Sequence, residues 1–127
     1  MTDEEQIRVV VQIYFECMYE SDVDKARAAF HPEAKITGYN IQGNLVTREV
    51  ETFAAFVASQ LPSAQEKGKP AVLEIVSVEC AGNTAVAIVR DEYLGQVYLD
   101  ILSLLKVEES WRIYNKLFHI EGPAENR

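Results

Sequence analysis

Residues 96–120 read "QVYLDILSLLKVEESWRIYNKLFHI". Two β-rich runs, 96–107 and 111–120, meet at "EES". A connection that short joins antiparallel neighbours, because a parallel crossover needs a dozen residues or more. Working back along the chain, "AVLEIVSVEC" (71–80) and "TAVAIVRDEY" (84–93) repeat the pattern, separated by "AGN" and by a turn around Gly95. Four runs with short turns predict an antiparallel meander.

The first half of the chain has a different period. "TDEE" places Thr2 as an N-cap with Glu5 three residues on, a capping box. Ile7, Val10, Val11, Tyr14 and Met18 then recur at spacings of three and four, one apolar stripe on a long helix. A shorter helix starts at Ser21, with Asp24 completing its cap, and stops at "FHP", where Pro32 biases His31 away from helical geometry. "AKITGY" reads as a short strand and "NIQGN" as a turn. Thr47 caps a third helix with the stripe Val50, Phe53, Ala54, Val57 and Leu61, ended by Pro62. "SAQEKGKP" is a polar surface loop. Three helices followed by a meander predict an α+β domain with helices on one face of the sheet.

Length and charge bound the function. The chain has 127 residues, 12 basic and 20 acidic, for a formal charge of −8. One domain over 1–127 is expected at that length. The negative sign argues against nucleic acid and against an anionic membrane surface, since both need a basic face. No apolar run reaches the ~18 residues that cross a bilayer. The acidic start "MTDEEQ" is unlike a signal peptide, so the expected location is cytoplasmic. Cys17 and Cys80 lack metal-ligand spacing and are expected to be buried, inert thiols.

The run 96–107 is apolar in both alternating sets: Val97, Leu99, Ile101, Leu105 and Tyr98, Leu102, Leu104. A sheet with one wet face alternates cleanly. Both faces are therefore expected to be covered, one by helices and the other by a second copy in a two-fold homodimer.

A two-residue turn inside "VEES" makes the numbers of opposed residues sum to an odd value. Tyr98, Asp100, Leu102 and Leu104 then share a face with Ile113, Asn115, Leu117 and His119. Lys116 goes to the other side. A bulge would reverse this. In an apolar pocket Asp100 and His119 can serve as a general acid/base couple, or can simply satisfy each other as buried polar groups. In the first case Asp100 is the base, His119 its partner, and Tyr14 or Asn115 a donor to a developing oxyanion. A two-residue turn at Leu94–Gly95 would bring Asp91 to the same face; solvent exposure is the other reading. His31 either reaches a cavity mouth or caps its own helix. Tyr14, Tyr39 and Tyr98 can turn hydroxyls toward a ligand, or can be core residues with a wet tip. No GxGxxG, P-loop, GxSxG or HExxH motif is present, and His31, His119 and Asp100 have no metal-binding spacing. No cofactor and no metal are expected.

Two words, "YFECMYESDVDKARAAFHPEAKI" (14–36) and "YLDILSLLKVEESWRIYNKLFHI" (98–120), resemble the nuclear-transport-factor-2-like superfamily, in its lumazine-binding branch near the polyketide-cyclase-like (SnoaL-like) proteins. Asp100 stands where the branch has its Asp before "LLK". His31, Asn115, Lys116 and His119 also match its pattern, while "EES" replaces the usual glycine of the last hairpin turn. The resemblance implies a cone: a curved, mixed but mainly antiparallel sheet wrapped around the long N-terminal helix, with a cavity between. It also implies dimers through the outer sheet face. The residues leave two roles open toward a small, largely apolar or aromatic molecule: a cofactor-independent isomerase or lyase, from the shared face of Asp100, Asn115 and His119, or a non-catalytic binding or adaptor module, from the scarcity of titratable groups beside apolar ones.

Overall fold

The structure is a computed structural model and describes residues 1–125. Its elements run α1 (Asp3–Tyr19), α2 (Val23–Ala29), β1 (Phe30–Tyr39), β2 (Leu45–Glu49), α3 (Val50–Ser59), β3 (Leu73–Ala81), β4 (Thr84–Tyr93), β5 (Gln96–Val107) and β6 (Ser110–Pro123). The six strands form one curved, open sheet in the order β2-β1-β6-β5-β4-β3. All neighbours are antiparallel except β1 and β6, which run parallel. The fold is the expected α+β cone.

α1 starts on the capping box of Thr2 and Glu5. Its stripe of Ile7, Val11, Tyr14 and Met18 is buried against the concave face of the sheet. Asp3 Oδ1 accepts hydrogen bonds from Trp111 Nε1 at 3.0 Å and Lys106 Nζ at 3.1 Å, so the first turn of α1 is tied to the last hairpin. α2 begins one residue later than read: Asp22, not Ser21, is the N-cap, and its carboxylate accepts from the amides of Asp24 and Lys25. Thr47 lies in β2 and does not cap α3. The strand runs directly into the helix at Glu49, which makes no side-chain cap. Phe30 stacks edge-on against both Tyr14 and Phe53, joining α1, β1 and α3 in one core.

The last hairpin turns on Glu108 and Glu109 alone, both at positive φ. From Val107↔Ser110 to Leu104↔Ile113 the pairs sum to an odd number, as the two-residue turn requires. The register then shifts, and the next pairs are Ser103↔Asn115 and Leu102↔Lys116. Tyr114 is the extra residue of a β-bulge, and residues 115–120 change face, up to a second register shift between Ile120 and Gly122. Lys116 and Phe118 turn toward the helices, while Asn115, Leu117 and His119 turn outward. At the other turn, Tyr93 pairs with Gln96 across Leu94–Gly95, so Asp91 does join the face of Asp100. Of the two thiols, Cys17 is buried and Cys80 is exposed, contrary to expectation for the second.

Candidate functional site

Beneath α1 the inner face of β4, β5 and β6 carries ionisable side chains in an otherwise apolar core. Asp91, Asp100 and Lys116 are 1 %, 0 % and 5 % exposed. Asp91 and Asp100 are diagonal neighbours, since Asp91 opposes Tyr98 and Asp100 opposes Val89. The Tyr14 hydroxyl descends from α1 and donates to Asp100 Oδ2 at 2.6 Å, a short charge-assisted type of contact. The other oxygen of Asp100 and both oxygens of Asp91 have no donor among the described residues. Burial first, and Asp100 second, push the Asp91 carboxyl well above its usual range. Burial and the neighbouring Asp100 thus favour the protonated form of Asp91, which can donate to Asp100. Burial likewise raises the Tyr14 hydroxyl, which keeps it a donor, and pushes the Cys17 thiol up to about 12, which leaves it unreactive.

Lys116 stands between this cluster and a hollow of about 230 Å³. Its ammonium lies 4.7 Å from the ring centre of Tyr14, 5.0 Å from that of Phe53 and 5.8 Å from that of Phe118. Rings at those distances attract a cation through their negative faces. Three aromatic walls thus hold a buried charge without a carboxylate in direct contact. The hollow is also lined by Phe56, Tyr98, Ile36 and Val46, and by Arg48 from β2, its guanidinium 4.5 Å from the centre of the Phe56 ring. A larger hollow of about 460 Å³ lies between the ends of α1 and α3, the 60–70 connection and the β4–β5 turn. It shares Met18, Tyr93 and Leu94 with the first, but its lysines, Lys67 and Lys69, are exposed, and the buried cluster does not reach it. The smaller hollow is the candidate site. Among the described residues no three His, Cys, Asp or Glu side chains converge as a metal-binding group.

Of the expected site residues, Asp100, Tyr14 and Tyr98 come together on the inner face. The rest do not. His119 is exposed and opposes Leu99 on the outer face, so it cannot pair with Asp100; the bulge at Tyr114 is the reason. Asn115 is exposed opposite Ser103 for the same reason. Tyr39 is 62 % exposed on β1 and lines neither hollow. His31 accepts the Glu33 amide on Nδ1 at 3.1 Å and packs its ring against Tyr114, away from the hollow. Lys116, read as outward, is the group that replaces them. Asp91 was foreshadowed only by the length of the Leu94–Gly95 turn. Arg48 gave no signal, because "TREV" reads as the start of a helix.

Known proteins resemble the chain throughout its length. A structure of an NTF2-like protein of unknown function from Silicibacter pomeroyi DSS-3 superposes with a TM-score of 0.85 at 25% identity, covering 95% of this chain and 100% of that one. One from Methylobacillus flagellatus KT reaches 0.81 at 25% identity, covering 94% and 93%. A protein described as having a cystatin-like fold, from Caulobacter vibrioides, shares the fold at a TM-score of 0.64 and 17% identity over 94% and 90%. Among curated proteins, Aldolase FrzH from a Cladobotryum species is 24% identical over 106 residues, 84% of this chain and 82% of that protein. No helix of the described residues is long and apolar enough to cross a membrane. The family described as "Putative lumazine-binding" matches residues 2–119, and the chain belongs to that family, within the NTF2-like superfamily.

Proposed function

We propose that the chain binds a small, largely apolar or aromatic carbonyl compound in the hollow and acts on it as a cofactor-independent lyase or isomerase. Lys116 is the group that faces the reacting oxygen. The observation that carries this reading is the position of its ammonium, inside an aromatic-walled hollow rather than in water. When the carbon–carbon bond of a β-hydroxy carbonyl compound breaks, its electron pair moves onto the carbonyl oxygen as an enolate, and the hydroxyl proton passes to solvent at the open side of the hollow. A preorganised cation in a dry site stabilises that charge, and removing such a donor typically costs about 10²–10³ in rate. Asp100 is a positioning residue in this scheme and not the base, because it is fully buried and lines neither hollow. With Asp91 and Tyr14 it sets the field beneath Lys116. The relative named as an aldolase supports the reaction class.

A non-catalytic binder is the second reading. Its support is that no carboxylate among the described residues stands on the wall of the hollow to take a proton from carbon. A panel of aromatic hydroxy ketones, assayed for retro-aldol cleavage, dehydration and thermal stabilisation, separates the two. The catalytic reading predicts turnover that drops about a hundredfold or more in Lys116→Met. Stabilisation without turnover supports the binder. A panel that produces neither contradicts both.

The outer face of the sheet is the proposed contact for a second copy of the chain. Ile101, Leu117 and Tyr114 are 43 %, 47 % and 39 % exposed there, next to Ile88 and Leu99.

A further inference from the structure

The geometry points to an anionic ligand: a small aromatic molecule carrying a carboxylate, held by Arg48 at one side of the hollow while Lys116 meets its carbonyl oxygen. This rests on the hollow being the binding site and adds the charge of what it takes.

Arg48 differs from the other arginines among the described residues. Arg8 is ion-paired to Glu4, Arg27 to Glu51 and Arg90 to both Glu121 and Glu74. Arg112 donates to the carbonyl of Arg27. Arg48 has no hydrogen bond or ion pair among the described residues; its guanidinium lies on the face of Phe56. A guanidinium offers five donors in a planar fork that matches a carboxylate. Here the ring of Phe56 orients the fork while leaving its edge free.

The wall itself is the second observation. Among the described residues the hollow is lined by two cations and by no Asp or Glu, in a chain where acids outnumber bases 20 to 12. Two like charges facing one apolar space repel each other, and an anion placed between them relieves that cost. Low-dielectric walls focus such a field into the cleft. The exposed acids of the molecule are screened over about 8 Å at physiological salt, and the buried Asp100 stands behind Lys116, outside the lining of the hollow. Arg48 also acts against the burial that raises the hydroxyls of Tyr93 and Tyr98, and all three residues line the hollow. Size sets a further limit. At about 230 Å³ the hollow is smaller than the ~300–1,000 Å³ of drug-sized sites, which suits one ring with a short side chain.

The test titrates the full chain with phenylpyruvate, its methyl ester and phenylacetone by calorimetry, at low and at physiological salt. The expected result is that phenylpyruvate binds about tenfold to a hundredfold more tightly than either neutral compound, the span of one charge-assisted hydrogen-bonded pair. Its affinity is expected to fall with added salt. Arg48→Gln should remove the preference for the acid. If the ester and ketone bind as well as the acid, the ligand is not selected for charge, and the hollow still stands as a binding site. If none of the three binds, this inference and the reading of the hollow fail together. Unchanged affinity in a folded Arg48→Gln, or affinity indifferent to salt, also overturns the role of Arg48.

Discussion

Asp91 and Lys116 define the site at the scale of single residues. The Asp91 carboxyl is raised by burial and by Asp100, against a smaller opposing pull from Lys116. In the unfolded chain it titrates near the ordinary value of about 3.9. Above that pH the unfolded state gives up a proton that the folded state keeps, so stability falls as pH climbs from about 4 toward neutrality. Asp91→Asn removes the effect and can still donate to Asp100. The variant is expected to be more stable than the parent by about 1–3 kcal/mol at pH 7, with a smaller gain at pH 4, in urea unfolding curves. A larger gain at pH 4 would show that Asp91 is ionised in the fold. Asp100 and Tyr14 were legible as candidates because both fall on apolar stripes. His119 and Asn115 were legible only as polar members of a strand, and alternation alone could not say which face received them.

The decisive element is β6. Its two-residue turn was readable from "VEES", and so was the facing of its first four residues. The bulge at Tyr114 was not, because nothing in "RIYNK" marks an extra residue, such as a glycine or proline. One unpaired residue exchanged an exposed lysine for a buried one and a buried histidine for an exposed one. Continuing past the bulge, β6 lies against β1, where Gly38 pairs with Phe118. A Cβ on Gly38 would stand 2.5 Å from both the ring and the carbonyl oxygen of Phe118. The β1–β6 pairing therefore depends on the missing side chain. Gly38→Ala is expected to cost about 1–3 kcal/mol, the usual range for overpacking, by chemical denaturation. A neutral effect would mean that the two strands can separate locally without loss.

For the whole molecule, the order of helices and strands was enough to reach the α+β cone, because turn lengths fix which strands are neighbours. Apolar residues in both sets of β5 pointed to two covered faces. The structure accounts for one, under α1 and α3, and leaves Ile101 and Leu117 exposed on the other. In light scattering after size exclusion, the chain is expected to run at about twice 14.3 kDa, and Leu117→Glu at that mass. A monomeric parent would remove the proposed homodimer. The central claim concerns where β6 sends its lysine, and the lysine ε-methylene signals in a ¹H–¹³C NMR spectrum test it without any ligand. Three rings around one ammonium predict a single lysine pair shifted well upfield, absent from the spectrum of Lys116→Met. Lysine signals that all sit at their solvent-exposed positions would contradict the account.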